Sequence, residues 1–471
     1  MKDINRRDFI KRTGAAAAVV GAASALQGCG GTAGPDAAST LVTGQTATAA
    51  HEPTGQMTLR SNRRGDDSVS LLGYGCMRWP TVPHNQAQPD GNDIDQEQVN
   101  RLVDYAMAHG VNYYDTSPVY CKGFSERAVG IALSRYPRDS YRIATKLSNF
   151  ADSLQSHEAG VRMFETSLRE LRVDYIDYYL LHSVGGGGMP AFSKRYLDNG
   201  MLDYLLEQRA KGRIRNLGFS FHGDVEVFDW CLAHDDKYHW DFVQIQMNYV
   251  DWLHAREQNA RNVNADYLYG ELSKRGIPAV IMEPLLGGRL SKLPAHVVST
   301  LKERRPDMSV ASWAFRFCGT YPGVMCVLSG MTYMEHLQDN LCTFSPLDPL
   351  TDSDLDYLER TAQLILKYPT VPCNDCKYCM PCPYGIDIPA IFVHYNKLVG
   401  EGTVPQSAED PDYRRMRRAY LVSFDRAVPA VRQADHCIGC RQCESHCPQN
   451  IKIPRRLQQI AEQIEALKAS L

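Results

Sequence analysis

Three apolar runs in the chain each stop on an ionisable side chain. One reads Tyr113-Tyr114-Asp115-Thr116-Ser117-Pro118-Val119-Tyr120, the next ends Ile143-Ala144-Thr145-Lys146, and a third ends Tyr179-Leu180-Leu181-His182-Ser183. A carboxylate, a phenol, an ammonium and an imidazole are the parts of a proton-transfer site, provided that a fold gathers them. Singly, each has a plainer explanation. A strand-end Asp often makes a turn, and a lone His is more often a hydrogen-bonded packing residue. A second signal lies further on. The run Cys373-Asn374-Asp375-Cys376-Lys377-Tyr378-Cys379-Met380-Pro381-Cys382-Pro383 is followed by Cys437-Ile438-Gly439-Cys440-Arg441-Gln442-Cys443-Glu444-Ser445-His446-Cys447-Pro448. The second run has the spacing C-x2-C-x2-C-x3-C-P, by which thiolates hold [4Fe-4S]. Disulfides are one rival, because eight is an even number. Zinc held by four thiolates is another, and the third in-step Cys of each run disfavours it. The first run departs from the pattern, with two residues instead of three before Cys382.

The elements that must position these residues alternate between strand and helix from Met57 to Leu341. Candidate strands are Val69–Tyr74, Val111–Thr116, Tyr141–Lys146, Ile176–His182, Ile214–Ser220, Phe242–Met247, Ile277–Met282 and Val324–Ser329. Helical periodicity separates them; in Ser156–Arg172, Val161, Phe164, Leu168 and Leu171 share one face. His109-Gly110-Val111, Lys211-Gly212-Arg213 and Arg275-Gly276-Ile277 repeat one device, a basic residue at the helix end and a left-handed Gly before the next strand. Eight such units point to a (β/α)8 barrel, in which catalysis sits at the C-terminal ends of the strands. A doubly wound open sheet is the rival. It usually carries G-x-G-x-x-G after its first strand, and Leu72-Gly73-Tyr74-Gly75-Cys76 leads into no such motif.

These residues carry a resemblance to the aldo/keto reductase family. Asp115, Tyr120 five residues later, Gly123 and Ser125-Glu126 match it, as do Thr145-Lys146 and Leu181-His182 in order and strand placement. Gly218-Phe219-Ser220 resembles the family's fifth strand, Gln246-Met247-Asn248-Tyr249 its sixth and Glu283-Pro284-Leu285-Leu286-Gly287-Gly288 its seventh. Ser329-Gly330-Met331 through Asn340 resembles the segment that grips the cofactor's adenosine end. The resemblance implies hydride transfer between a nicotinamide and a small-molecule carbonyl or alcohol. Tyr120 would be the proton donor, Lys146 would lower its pKa, Asp115 would hold Lys146, and His182 would orient the carbonyl. The nicotinamide amide would meet Asn248, Gln246 or nearby backbone, with Ser220 also in the cofactor site. Members that choose NADPH often place Lys and Arg on the adenosine phosphate, whereas Gly330 and His336 stand there in this chain. Asn340, which would meet the adenine, is retained, and Thr332 and His336 can reach a phosphate. The expected cofactor is NADP(H) or NAD(H), with NADP(H) favoured on family grounds.

The cysteine runs resemble a two-cluster ferredoxin, in which the fourth Cys of each run serves the other cluster. Carried over, Cys373, Cys376, Cys379 and Cys447 take one cluster, and Cys437, Cys440, Cys443 and Cys382 the other. Asp354–Lys367 and Leu457–Leu467 look helical, so the expected appendage is a small, mostly α-helical ferredoxin-like domain over residues 346–471, after a barrel at 57–345. The other seven cysteines are expected to pack as small apolar side chains.

Composition is compatible with this organisation. The 471 residues are 44% hydrophobic and 22% charged, ordinary for a globular protein. The 51 basic and 54 acidic residues nearly balance, which gives no electrostatic reason to expect nucleic acid. No apolar run reaches the length of a membrane span. The start, Met1 to Lys11 with Arg6-Arg7, then the Ala-rich stretch Gly14 to Leu26, resembles a twin-arginine export signal, with residues 1–29 as signal and 30–56 as a flexible linker. Leu26-Gln27-Gly28-Cys29 resembles a lipoprotein box, so Cys29 is a candidate lipid anchor. Clusters are assembled inside the cell, and a folded-export route suits a protein that carries them. The expectation is an exported oxidoreductase, periplasmic or lipid-anchored, with clusters for structure or for a redox partner protein. The alternative is an iron–sulfur electron-transfer or interaction protein with a barrel that no longer turns over. The intact set Asp115, Tyr120, Lys146 and His182 favours the enzyme. Substrate choice would lie in loops such as Gly185–Pro190 and Trp252–Val263.

Overall fold

In the computed structural model, residues 53–83, 86–258, 261–366, 370–405, 412–447, 449 and 451–470 are described. The arginine pair, Cys29, the linker up to residue 52 and Pro448 lie outside the described residues. A short antiparallel hairpin comes first, β1 (Leu59–Ser61) against β2 (Ser68–Ser70). Eight parallel strands follow: β3 (Leu72–Gly75), β4 (Tyr113–Asp115), β5 (Arg142–Leu147), β6 (Ile176–Val184), β7 (Ile214–Phe221), β8 (Phe242–Gln246), β9 (Ala279–Met282) and β10 (Val324–Ser329). They close in the order β10-β3-β4-β5-β6-β7-β8-β9, so the expected (β/α)8 barrel is the fold.

The strands read as apolar runs because both of their faces are buried. Inside the barrel Tyr113, Ala144, Tyr178, Leu180, Phe242, Val280 and Leu328 form one cluster. A larger apolar layer between strands and helices includes Phe164, Leu168 and Leu171 of the helix His157–Leu171. Ser156 starts that helix by accepting from the Ala159 N–H at 3.2 Å. Gly110, Gly212 and Gly276 all take positive φ, at 85°, 75° and 61°, as the helix-to-strand device requires.

Most strand boundaries differ from the sequence reading by one or two residues, and two of the differences have a clear backbone cause. Val69–Tyr74 is two strands. The Ser70 N–H donates to Asn112 Oδ1 at 2.8 Å and its hydroxyl to Leu72 O at 2.7 Å, turning the chain at Leu71. The strand expected at Ile277–Met282 begins at Ala279, because Pro278 has no N–H to give the ladder.

The helix Asp352–Leu366 packs on the barrel: Leu358 and Ala362 join its core, and Arg304 and Arg305 grip Asp354 at 2.8 and 2.9 Å. Sequence grouping had put this helix with the C-terminal region, whereas its apolar face belongs to the barrel. Beyond it a second core gathers Ile388, Ile391, Phe392, Tyr420, Phe424, Ile453, Leu457 and Ile460 from three helices. These are Ile388–Gly400, Tyr413–Ala427 and Ile453–Ala469. The first two fill the long stretch between the cysteine runs. Barrel and C-terminal lobe belong to one compact unit, Thr48–Leu471. Among the described residues, no helix is long and apolar enough to cross a membrane.

Candidate functional site

Parallel register brings the three strand ends together. Asp115 closes β4 beside Ala144 of β5, and Lys146 of β5 lies beside Leu180 of β6, two residues before His182. After β4 the chain makes a tight turn, Tyr120–Gly123, with Cys121, Lys122 and Gly123 at positive φ. That turn folds Tyr120 back over the strand ends.

The four side chains meet in a buried cluster. Lys146 Nζ donates to Asp115 Oδ1 at 2.6 Å and to Thr116 O at 2.8 Å. The same ammonium lies 4.8 Å from the centroid of the Tyr120 ring. The Tyr120 and His182 rings meet edge to face, with centroids 6.1 Å apart. Tyr120 is 8% exposed, Asp115 3%, Lys146 0% and His182 5%, so water has little access to any of them. His182 is held firmly: its Nδ1 is 2.6 Å from Ser148 Oγ, which is 2.9 Å from Ser117 Oγ. Its carbonyl accepts from Arg195 Nη2 at 2.6 Å and the Tyr196 hydroxyl at 3.0 Å.

Burial sets the protonation states. It pushes the His182 imidazole well below its ordinary value, with Lys146 and His222 adding to the effect, so the ring is neutral. Burial also pushes the Tyr120 phenol well above the ordinary value, followed by Tyr378 and Asp115. This differs from the sequence expectation that Lys146 lowers it. The ammonium's charge is directed to Asp115 and the Thr116 carbonyl, and loss of solvent outweighs what reaches Tyr120. Burial raises Asp115 too, against the pull of Lys146. Asp115 Oδ2 has no hydrogen-bond partner among the described residues.

The residues expected at a dinucleotide run along the ends of β7 to β10. The Ser220 hydroxyl accepts from the Ser183 N–H at 2.8 Å. Gln246 and Asn248 both donate to Asp251 Oδ2 at 2.7 Å, and Asn248 also donates to Glu283 O at 3.1 Å. Asn340 donates to Ser329 Oγ at 2.9 Å, and the Thr332 hydroxyl donates to Arg78 O at 2.8 Å. Gly330 and His336 are exposed at the outer end of this strip.

The cysteines sort into two groups. The thiols of Cys376 and Cys447 neighbour Cys373 and Cys379 closely enough to perturb their protonation. Cys382 lines one apolar hollow with Cys437, Cys440 and Cys443. The fourth thiol of each run therefore lies with the other run's first three, as the ferredoxin resemblance implies.

Several residues near the site were not singled out from sequence: Ser117, Ser148, Arg195, Arg78, Glu283, Tyr378 and Gln449. Arg78 donates to Asn374 O at 2.6 Å, and Gln449 donates to Gln246 Oε1 at 3.1 Å. Tyr378, between two cluster cysteines, lies near enough to Tyr120 to raise its pKa. Nothing in the local sequence signals these approaches.

Comparison with known proteins gives two family matches. A model described as the aldo/keto reductase family covers residues 71–363, and one described as a 4Fe-4S dicluster domain covers residues 372–452. An uncharacterized oxidoreductase, YqkF of Bacillus subtilis (strain 168), is 24% identical over 295 residues, 59% of this chain and 87% of that protein. Probable aldo-keto reductase 1 of Glycine max is 34% identical over 122 residues, only 25% of this chain and 33% of that protein. Among solved structures, the aldo-keto reductase AKR11C1 from Bacillus halodurans (holo form) superposes with a TM-score of 0.51 at 22% identity, covering 65% of this chain and 96% of its own. That likeness concerns the fold.

Proposed function

Since the chain belongs to the aldo/keto reductase family and carries a 4Fe-4S dicluster domain, we propose that it interconverts a small-molecule carbonyl and its alcohol at Tyr120, using NAD(P)H. One observation carries this reading: Asp115, Tyr120, Lys146 and His182 meet in one buried cluster at the barrel mouth.

Each residue's part follows from its surroundings. Tyr120 keeps its proton at neutral pH, because burial raises its pKa, and can therefore give it to a carbonyl oxygen. Lys146 beside the ring stabilises the charge left on the phenol once the proton has gone. Asp115 and the Thr116 carbonyl fix the ammonium in place. In the tautomer that accepts from Ser148 at Nδ1, neutral His182 carries its proton on Nε2 and would donate there to the same oxygen. Exclusion of water strengthens each of these interactions.

A nicotinamide, when bound, supplies the hydride. The chain's residues fit such a group along the strip from Ser220 to Asn340. Asp251 Oδ1, buried and without a partner among the described residues, is an acceptor suited to a carboxamide N–H. Gln246, Asn248 and Asp251 would hold the nicotinamide end, and Gly330, Thr332, His336 and Asn340 the adenosine end. We take NADP(H) as the preferred form on family grounds. The eight thiols fit two [4Fe-4S] clusters, which carry single electrons or hold the lobe together. Exposed Cys440 and Ile438, the latter 62% exposed, make the second cluster the one that would face a redox partner protein. The test is turnover by anaerobically purified, cluster-loaded protein. Oxidation of NADPH or NADH is expected with at least one aldehyde or ketone of a broad panel; no turnover with any, while nicotinamide binds, would favour the non-catalytic alternative.

We further propose export by the twin-arginine route, on the Arg6-Arg7 pattern and the Ala-rich stretch behind it. Replacing Arg6-Arg7 by Lys-Lys should leave folded, cluster-loaded protein in the cytoplasm, and unchanged export in fractionated cells would overturn the assignment. If Cys29 is the lipid anchor, the mature chain begins there and partitions with membranes. A mature N-terminus elsewhere would exclude the anchor.

A further inference from the structure

The loop from Cys373 to Cys379 is clamped to the barrel mouth. Arg78 donates to Asn374 O at 2.6 Å and pairs with Asp375 at 3.4 Å. Just upstream, Arg289 donates to Thr370 Oγ1 at 2.6 Å. Gly287, at φ +68°, lets the loop come close: a Cβ there would stand 2.4 Å from Asn374 Cα. Only glycine accepts both that backbone angle and that approach.

The clamps bring Tyr378 to Tyr120. The two phenols are close enough that each perturbs the other's protonation, although 258 positions separate them. Glu283, at positive φ after β9, is close enough for its charge to raise the pKa of both phenols and of Cys376. Backbone strain of this kind persists where the surroundings hold it in place. Tyr378 sits between Cys376 and Cys379, so its position is tied to the first cluster group. Its hydroxyl is thereby brought to the neighbourhood of the proton donor at the mouth.

We propose that Tyr378 is a substrate-contacting residue of the barrel site, a second hydroxyl beside Tyr120 for the carbonyl oxygen, and that its loop couples the first cluster to that site. The substrate contact rests on the carbonyl reading above; the coupling does not. Cluster lobe and barrel thus complete one site between them.

The test uses full-length, cluster-loaded protein and the variants Tyr120→Phe, Tyr378→Phe and the double variant, all of which keep the rings. The first readout needs no ligand: midpoint potentials of both clusters by EPR-monitored titration. Tyr120→Phe should shift the potential of one cluster and leave the other in place, and the shift should vanish when Tyr378 is already Phe. The second readout is KM and kcat for 4-nitrobenzaldehyde with NADPH. Tyr378→Phe should raise KM about tenfold, the loss of one hydrogen bond, with a smaller change in kcat. Unchanged potentials in Tyr120→Phe would overturn the coupling, and an unchanged KM in Tyr378→Phe would overturn the substrate contact. If wild-type protein reduces no carbonyl yet shows the coupled shift, the carbonyl reading and the contact fall and the coupling stands. If it reduces the aldehyde and neither readout moves, the carbonyl reading stands and Tyr378 has no place in the site.

Discussion

Tyr120→Phe is expected to lower carbonyl reduction by about 100-fold or more, the range for loss of a positioned general acid, while nicotinamide binding stays nearly intact. The substitution is clean because the ring has its own work. It lies 4.8 Å from Lys146 Nζ and edge-on to His182, and phenylalanine keeps both contacts. What disappears is one proton. The sign of the pH effect follows from burial, which holds the phenol's pKa well above its ordinary value. A raised pKa keeps the donor form at neutral and mildly alkaline pH, so reduction by the native protein should show no loss from this group there. Initial rates with any accepted carbonyl, beside titration of NADPH by its fluorescence, separate the two effects. Near-normal turnover in the variant would remove Tyr120 from the donor role. A parallel loss of nicotinamide binding would mean that the ring itself had been misplaced.

The catalytic set was legible in the sequence for a geometric reason. Asp115, Lys146 and His182 end consecutive parallel strands, and such strands must lie side by side, so linear order already implies a shared mouth. Tyr120 was legible because a short turn leaves it no route away from Asp115. The strands themselves showed as apolar runs; most ends were off by a residue or two, and a backbone bond decided the breaks at Ser70 and at Pro278. Tyr120's protonation was read in the wrong direction. A neighbouring cation can be named from sequence, whereas the depth of burial is a collective property of the closed barrel. The helices Ile388–Gly400 and Tyr413–Ala427 were missed because the cysteines around them dominate the reading of that region. Tyr378, Gln449 and Arg78 were missed for a different reason. Their roles come from docking of the lobe on the mouth, and no spacing along the chain reports a contact between segments folded separately.

Substitution of single cluster cysteines should remove clusters in pairs that ignore sequence order. Protein with both clusters should contain about eight iron atoms per chain, and loss of one cluster should leave about four. Cys376→Ser and Cys447→Ser are expected to destroy the same cluster, because the Cys447 thiol neighbours those of Cys373, Cys376 and Cys379. Cys382→Ser and Cys443→Ser should destroy the other, since Cys382 lines the hollow of Cys437, Cys440 and Cys443. The short spacing before Cys382 is the weak point of the ferredoxin analogy. Yet it still delivers that thiol to the second group, through a chain that runs on past Tyr384 and Ile386 of the same hollow. EPR of the reduced variants should show one signal lost in the first pair and the other signal lost in the second. Anaerobic reconstitution, then iron and sulfide assay, makes the count. If the native chain holds only about four iron atoms and Cys382→Ser leaves that number unchanged, the second group ligates no cluster. Zinc in place of iron, with no visible charge-transfer absorbance, would overturn both groups together.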